Sequence, residues 1–182
     1  IMCHLSGLPL YDSLGPLAHL KPVPGRMQIV RGHPDNAQVI VDYAHTSDAL
    51  AAALAALRPA ATGKLAVLFG CGGDRDQGKR AQMGQIASDG ADQIFITDDN
   101  PRTEDAASIR ASIISACPNA IEIAGRDRAI ARALASVGSG DVLLIAGKGH
   151  ETVQLVGNES LPFDDVAIAS HLMMQMQKQA VQ

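Results

Sequence analysis

The chain has 182 residues, 47% of them hydrophobic and 19% charged, with a formal net charge of −4. That length suits one domain, or one domain and a piece of a neighbour, and the composition excludes a disordered chain. The acidic balance (pI 5.8) weighs against a general nucleic-acid binder, and 3% aromatics with no Trp offer no platform for stacking bases or sugars.

Residues 1–25 place Leu5, Leu8, Tyr11, Leu14, Leu17 and Leu20 at every third position, a helix-like stripe broken by Pro9, Gly15 and Pro16. A stiff Pro-rich hinge, KPVPGR at 21–26, closes it. The pattern fits either the tail of a preceding domain or a loose end. The start at Ile1, without an initiator Met or a signal-peptide pattern, leads us to expect a piece of a longer protein.

Beyond the hinge, strand-length apolar runs stand at 37–41 (AQVIV), 64–69 (KLAVLF), 93–97 (QIFIT), 120–124 (AIEIA), 142–146 (VLLIA) and 152–156 (TVQLV). Helical spacing separates the first five. Thr46 or Ser47 caps a helix bearing Leu50, Leu54 and Leu57 that Pro59 stops. Further helices are expected over 79–89, 105–116 (after Glu104 and Asp105), 126–137 and 164–177. Continuously apolar strands alternating with helices predict an α/β fold: an open, mostly parallel sheet of about six strands with helices on both faces. The run at 152–156 follows its predecessor too closely for a parallel crossover, so it is expected as an antiparallel edge strand. No apolar run is long enough to encode a membrane-spanning helix.

Four polar clusters begin where expected strands end: Asp42–His45, Gly70–Asp76 followed by Gly78–Arg80, Asp98–Arg102, and Gly147–Glu151. In a parallel sheet these ends share one edge, where ligands bind. Polar loops are common there, but four that each set a charged side chain beside Gly or Pro point to a site. Arg75 and Arg102 suit a carboxylate or phosphate, or alternatively pair with neighbouring Asp residues. Asn100 offers donor and acceptor, and Glu151 suits an ammonium. Together they outline a receptor for an amino acid.

Other candidates are weaker. His45 and His150 lack metal-ligand spacing and read more simply as hydrogen-bonded structural residues. Cys3, Cys71 and Cys117 form no disulfide framework or CxxC pair, which suits a reducing cytosol. Cys71, near Arg75, is a candidate for a lowered pKa, but no dedicated base accompanies it. Gly73–Arg80 fits G-x-x-x-x-G-K yet ends in Arg where a P-loop has Ser or Thr, and two Asp lie inside it, so we reject a nucleotide triphosphate loop there.

VDYAHTSDAL (41–50), FGCGGDRDQGKR (69–80), TDDNPRTED (97–105) and AGKGHE (146–151) closely resemble the C-terminal domain of the Mur ligases, in the MurE type that adds 2,6-diaminopimelate. The resemblance covers about residues 20–170 in the family's order. It implies a Rossmann-like domain that brings the incoming amino acid and closes over ATP. A central domain, carrying the P-loop and Mg²⁺ ligands, and a UDP-binding domain would lie outside this chain. Residues 1–25 would then be the end of the central domain and the hinge, and 26–182 the C-terminal domain. The reaction activates the D-Glu γ-carboxylate of UDP-MurNAc-L-Ala-D-Glu as an acyl phosphate, which the amine attacks to form an amide, with ATP becoming ADP and phosphate.

By that resemblance Asp99, Asn100, Pro101 and Arg102 match the diaminopimelate recognition motif, and Arg75, Gly147 and Glu151 match other positions that hold it. The Arg residues would clamp a carboxylate and Glu151 the distal ammonium, while Asn100 favours meso-diaminopimelate over lysine. Arg26, Asp42 and His45 match positions near the nucleotide. No catalytic residue and no metal ligand is assigned. ATP and Mg²⁺ are implied as bound mainly elsewhere, and the partners are meso-diaminopimelate and, through absent domains, the UDP-linked dipeptide. A cytoplasmic, monomeric enzyme of peptidoglycan synthesis is expected, inactive as this piece alone. The alternatives are a non-catalytic amino-acid-binding module and a Mur ligase for lysine or another amino acid.

Overall fold

Val, Ile, Leu and Phe dominate the strands that build the main sheet. A computed structural model describes residues 23–180 together with Gly7, Pro9, Leu14 and Gly15, so the stripe expected over 1–25 lies almost wholly outside the described residues. The sheet contains β1 (Gln28–Val30), β2 (Gln38–Asp42), β3 (Leu65–Phe69), β4 (Gln93–Ile96), β5 (Ile121–Glu122) and β6 (Val142–Ala146). Their order is β1-β2-β6-β3-β4-β5, with β1 antiparallel to β2 and the other pairs parallel.

Residue alternation sends the two sides of each strand into two cores. Ile40, Val67, Phe69, Ile96 and Leu144 pack under α1 (Ser47–Leu57), α2 (Gly78–Gly90) and α3 (Ala106–Ile114). Val39, Val41, Leu68, Phe95 and Ile145 pack under α4 (Arg126–Leu134) and α5 (Asp165–Ala180). Local chemistry sets the helix starts. Thr46 accepts the Ala49 N–H at 3.3 Å, and Asp105 accepts that of Ser108 at 2.9 Å. Thr46 is thus the cap, and Ser47 is the first helical residue. The α/β class, the mostly parallel sheet and the helices on both faces agree with expectation.

One strand is placed differently. The run at 152–156 does not join the sheet: β7 (Val153–Val156) pairs with β8 (Glu159–Pro162) as a separate hairpin, and the antiparallel edge strand is β1. The reason is topological. Strand β6 lies in the middle with β2 and β3 on its two sides, so no position beside it remains for the strand that follows. The run at 120–124 also shortens, to the two residues of β5.

Beneath the sheet edge, Arg126 of α4 and Asp165 of α5 form a fully buried pair at 2.8 Å. The same guanidinium donates to the carbonyls of Ala146 (2.9 Å) and Asp98 (3.4 Å). It therefore ties the ends of β6 and β4 to both helices, and removing either partner would strand a buried charge at a cost of about 3–5 kcal/mol.

Candidate functional site

The carboxyl ends of β2, β6, β3 and β4 lie side by side, which gathers the four polar clusters on one edge as expected. They enclose a cleft of about 530 Å³. Its lining includes Arg75, Asp99, Asn100, Arg102, Gly147, Glu151 and His45 among the expected residues, and also Tyr43 and Lys79. Pro101, Arg26 and Asp42 stand outside the lining.

The Asp99–Arg102 segment is held from two sides. Gly73 N–H donates to the Asn100 carbonyl at 2.9 Å, and Arg102 N–H donates to Leu155 of β7 at 3.1 Å. Arg102 has φ 53°, a left-handed backbone that a β-ribbon and a glycine turn together enforce. Its Nη1 donates to the carbonyls of Gly73 (2.8 Å) and Asn100 (3.4 Å). A Cβ on Gly72 would stand 2.9 Å from that Nη1, so glycine makes room for the guanidinium. Neither arginine pairs with an aspartate. Arg75 is exposed and has no hydrogen-bond or ion-pair partner among the described residues. Asp74 is instead held by the hydroxyl (2.8 Å) and N–H (3.2 Å) of Thr103, which keep its carboxyl below the usual range.

Behind this segment lies a buried polar cage. The Lys148 ammonium, 0% exposed, donates to Asn100 Oδ1 at 3.1 Å and Glu151 Oε2 at 3.2 Å, and stands 3.8 Å from Asp99 Oδ1. Asn100 Nδ2 donates to Glu151 Oε2 at 3.0 Å, and Leu155 N–H donates to Asn100 Oδ1 at 3.0 Å. Burial pushes the Asp99 carboxyl above its ordinary value, outweighing the nearby Arg126 and Lys148 charges. Gly147, at φ 113°, leaves space beside Asp99, where a Cβ would approach Oδ2 to 3.2 Å.

On the hinge side, Arg26 stacks over Tyr43 at 4.7 Å, and the Tyr43 ring meets those of His45 (4.4 Å) and His150 (5.1 Å). His45 Nδ1 donates to the Tyr43 carbonyl at 2.8 Å, and Lys79 donates to the His45 carbonyl at 2.9 Å. The Asp42 carboxylate accepts the N–H groups of Met27 (2.7 Å) and Ala44 (2.9 Å), so it anchors the hinge to β2. In the Gly73–Arg80 stretch Asp74 to Gly78 are exposed, and Arg80, which is buried, pairs with Glu104 at 2.9 Å. Among the described residues no group of three His, Cys, Asp or Glu is placed to hold a metal ion.

The expectation for Cys71 is overturned. The thiol is buried and points at Met83 Sδ (3.8 Å), and burial pushes its pKa up to about 11 against the pull of Lys79. Lys148 is the important residue that sequence reasoning passed over. AGKGHE sets this cation between two glycines, both at positive φ, but nothing in that local pattern says that its side chain is buried. Gln154, whose amide donates to the Asp99 carbonyl at 2.6 Å, carried no local signal either.

A parallel sheet with this four-turn edge defines a ligand-binding α/β domain, and residues 25–149 match the family described as Mur ligase, glutamate ligase domain: the chain belongs to that family. The resemblance read from its motifs is borne out. The chain is 50% identical over 160 residues to the UDP-N-acetylmuramoyl-L-alanyl-D-glutamate–2,6-diaminopimelate ligase of Mesorhizobium japonicum, covering 88% of this chain and 33% of that protein. With the ligase of the same name from Bradyrhizobium diazoefficiens it shares 54% identity over 149 residues, 82% of this chain and 30% of that one. A solved structure of a ligase of that name superposes with a TM-score of 0.79 at 38% identity, covering 95% of this chain and 36% of the other. The chain thus spans about a third of the length of the curated relatives it matches.

Proposed function

We propose that this chain is the amino-acid-receiving domain of an ATP-dependent ligase that joins meso-diaminopimelate to UDP-MurNAc-L-Ala-D-Glu in peptidoglycan synthesis. Residues 26–182 would form that domain, and residues 1–25 would end the ATP- and Mg²⁺-binding domain before it. The enzyme would work in the cytoplasm. The observation that carries the reading is the convergence of Arg75, Asn100, Arg102 and Glu151 on one cleft. The guanidinium groups suit a carboxylate, and the Glu151 carboxylate suits an ammonium.

In this reading the domain's work is positioning. It holds the diaminopimelate so that its free amine meets the activated D-Glu carbonyl; the amide bond forms and phosphate leaves. Arg26 and His45, beside Tyr43, would lie at the rim of the nucleotide site, and Asp42 would fix the hinge that brings Arg26 there.

Arg75→Ala is the clean test, because that side chain is exposed and its loss breaks no hydrogen bond or ion pair among the described residues. In the complete ligase it should raise the KM for diaminopimelate by about tenfold or more, the effect of losing a charge-assisted hydrogen bond, and leave the KM for ATP nearly unchanged. Unaltered diaminopimelate kinetics would refute the assignment. Arg102→Ala is less suitable, since it would also release the Gly73 turn.

A further inference from the structure

We propose that Lys148 is a positioning residue: its buried ammonium fixes the amide of Asn100 and the carboxylate of Glu151 in the orientation that receives the amino acid. The proposal rests on the reading of the cleft as an amino-acid site. Lys148 itself is 0% exposed and does not line the cleft, so it acts through its neighbours.

Burying an ammonium is costly, and a Met would fill the same volume without that penalty. What the ammonium adds is directed protons. Two of them reach Asn100 Oδ1 and Glu151 Oε2, and Asp99 Oδ1 lies at ion-pair distance beyond.

The consequence for Asn100 follows from its hydrogen-bonding capacity. A side-chain amide has one oxygen with two lone pairs and one nitrogen with two N–H groups. Lys148 Nζ and Leu155 N–H take both lone pairs of Oδ1. One N–H of Nδ2 goes to Glu151. The amide therefore cannot flip, and what it has left for a ligand is an N–H. Glu151 is held in the same way: Oε2 accepts from Lys148 and Asn100 together, although the side chain is 31% exposed. The cleft thus presents a fixed donor beside a fixed anion, the complement of a carboxylate and an ammonium. Without Lys148, Oδ1 keeps a single donor, the amide is free to turn its oxygen outward, and Glu151 is free to swing toward solvent.

The test uses the complete ligase. Wild-type turnover of diaminopimelate is measured first; its absence sinks the reading of the cleft and this proposal with it. Given turnover, Lys148→Met should raise the KM for diaminopimelate about tenfold or more with the KM for ATP unchanged. In an Asn100→Ala, Glu151→Ala background, where both groups it orients are gone, the same substitution should add little. A wild-type KM for diaminopimelate, a parallel rise in both KM values, or additive effects would overturn Lys148's role alone. Should Lys148→Met fail to fold, wild-type ligase labelled with ¹⁵N at lysine Nζ gives the answer. The Lys148 ammonium signal should shift as diaminopimelate is titrated in, and a signal that stays in place would refute the proposal.

Discussion

Asp99 and Cys71 show how burial changes what a side chain can do. The Asp99 carboxyl is pushed above its ordinary value by burial, and its Oδ1 has no hydrogen-bond partner. Its folded-state pKa therefore exceeds its unfolded one. The stability it contributes is complete below the unfolded value, about 3.9, and is lost as pH rises through the folded value. Asp99→Asn should abolish that loss, so the variant's Tm should gain on the wild type as the pH is raised above about 4. A Tm difference that does not change with pH would count against it. Cys71 makes the opposite case to a reactive thiol. With its pKa near 11, only about a thousandth is thiolate at pH 8, so iodoacetamide should leave the Cys71 peptide unmodified until the protein is unfolded. Mass spectrometry of that peptide checks this. The contrast marks a limit of sequence reading. Arg75, Arg102, Asn100 and Glu151 were legible because charge and glycine stood together at strand ends. The burial that disarms Cys71 and cages Lys148 was not, because it depends on which strands become neighbours.

At the scale of elements, the hairpin and the hinge both serve the cleft from outside the sheet. Strand β7 binds the Asp99–Arg102 segment through Leu155, and the Arg102 carbonyl accepts the Gly157 N–H at 2.7 Å. The hairpin therefore braces the Asp99–Arg102 segment. Its apolar run was legible at 152–156, but its partner was not, since the local spacing says nothing about how both sides of β6 are filled. The hinge is fitted as closely. A Cβ on Gly25 would stand 2.1 Å from Gly149 C, and Gly149, at φ 54°, would set its own Cβ 2.6 Å from that of Tyr43. Gly149→Ala should therefore lower stability by about 1–3 kcal/mol from backbone strain alone. Denaturant unfolding measures this, and a shift in midpoint of negligible size would contradict the close fit.

At the scale of the whole molecule, the two-faced sheet was legible because the apolar strands and the helical periods alternate so regularly between 37 and 146. The order β2-β6-β3 was not written in any local pattern. It also governs when the protein can exist at all. A ribosome delivers β2 and β3 early, but they never pair with each other; the strand that joins them ends at Ala146, far later in synthesis. Until then both flanks of the gap remain open, apolar and prone to the wrong partner. The four turns of the cleft are carried by these strands and by β4, so the cleft comes into being only when β6 takes its place between β2 and β3. Folding and acquiring the site are, for this chain, a single late event.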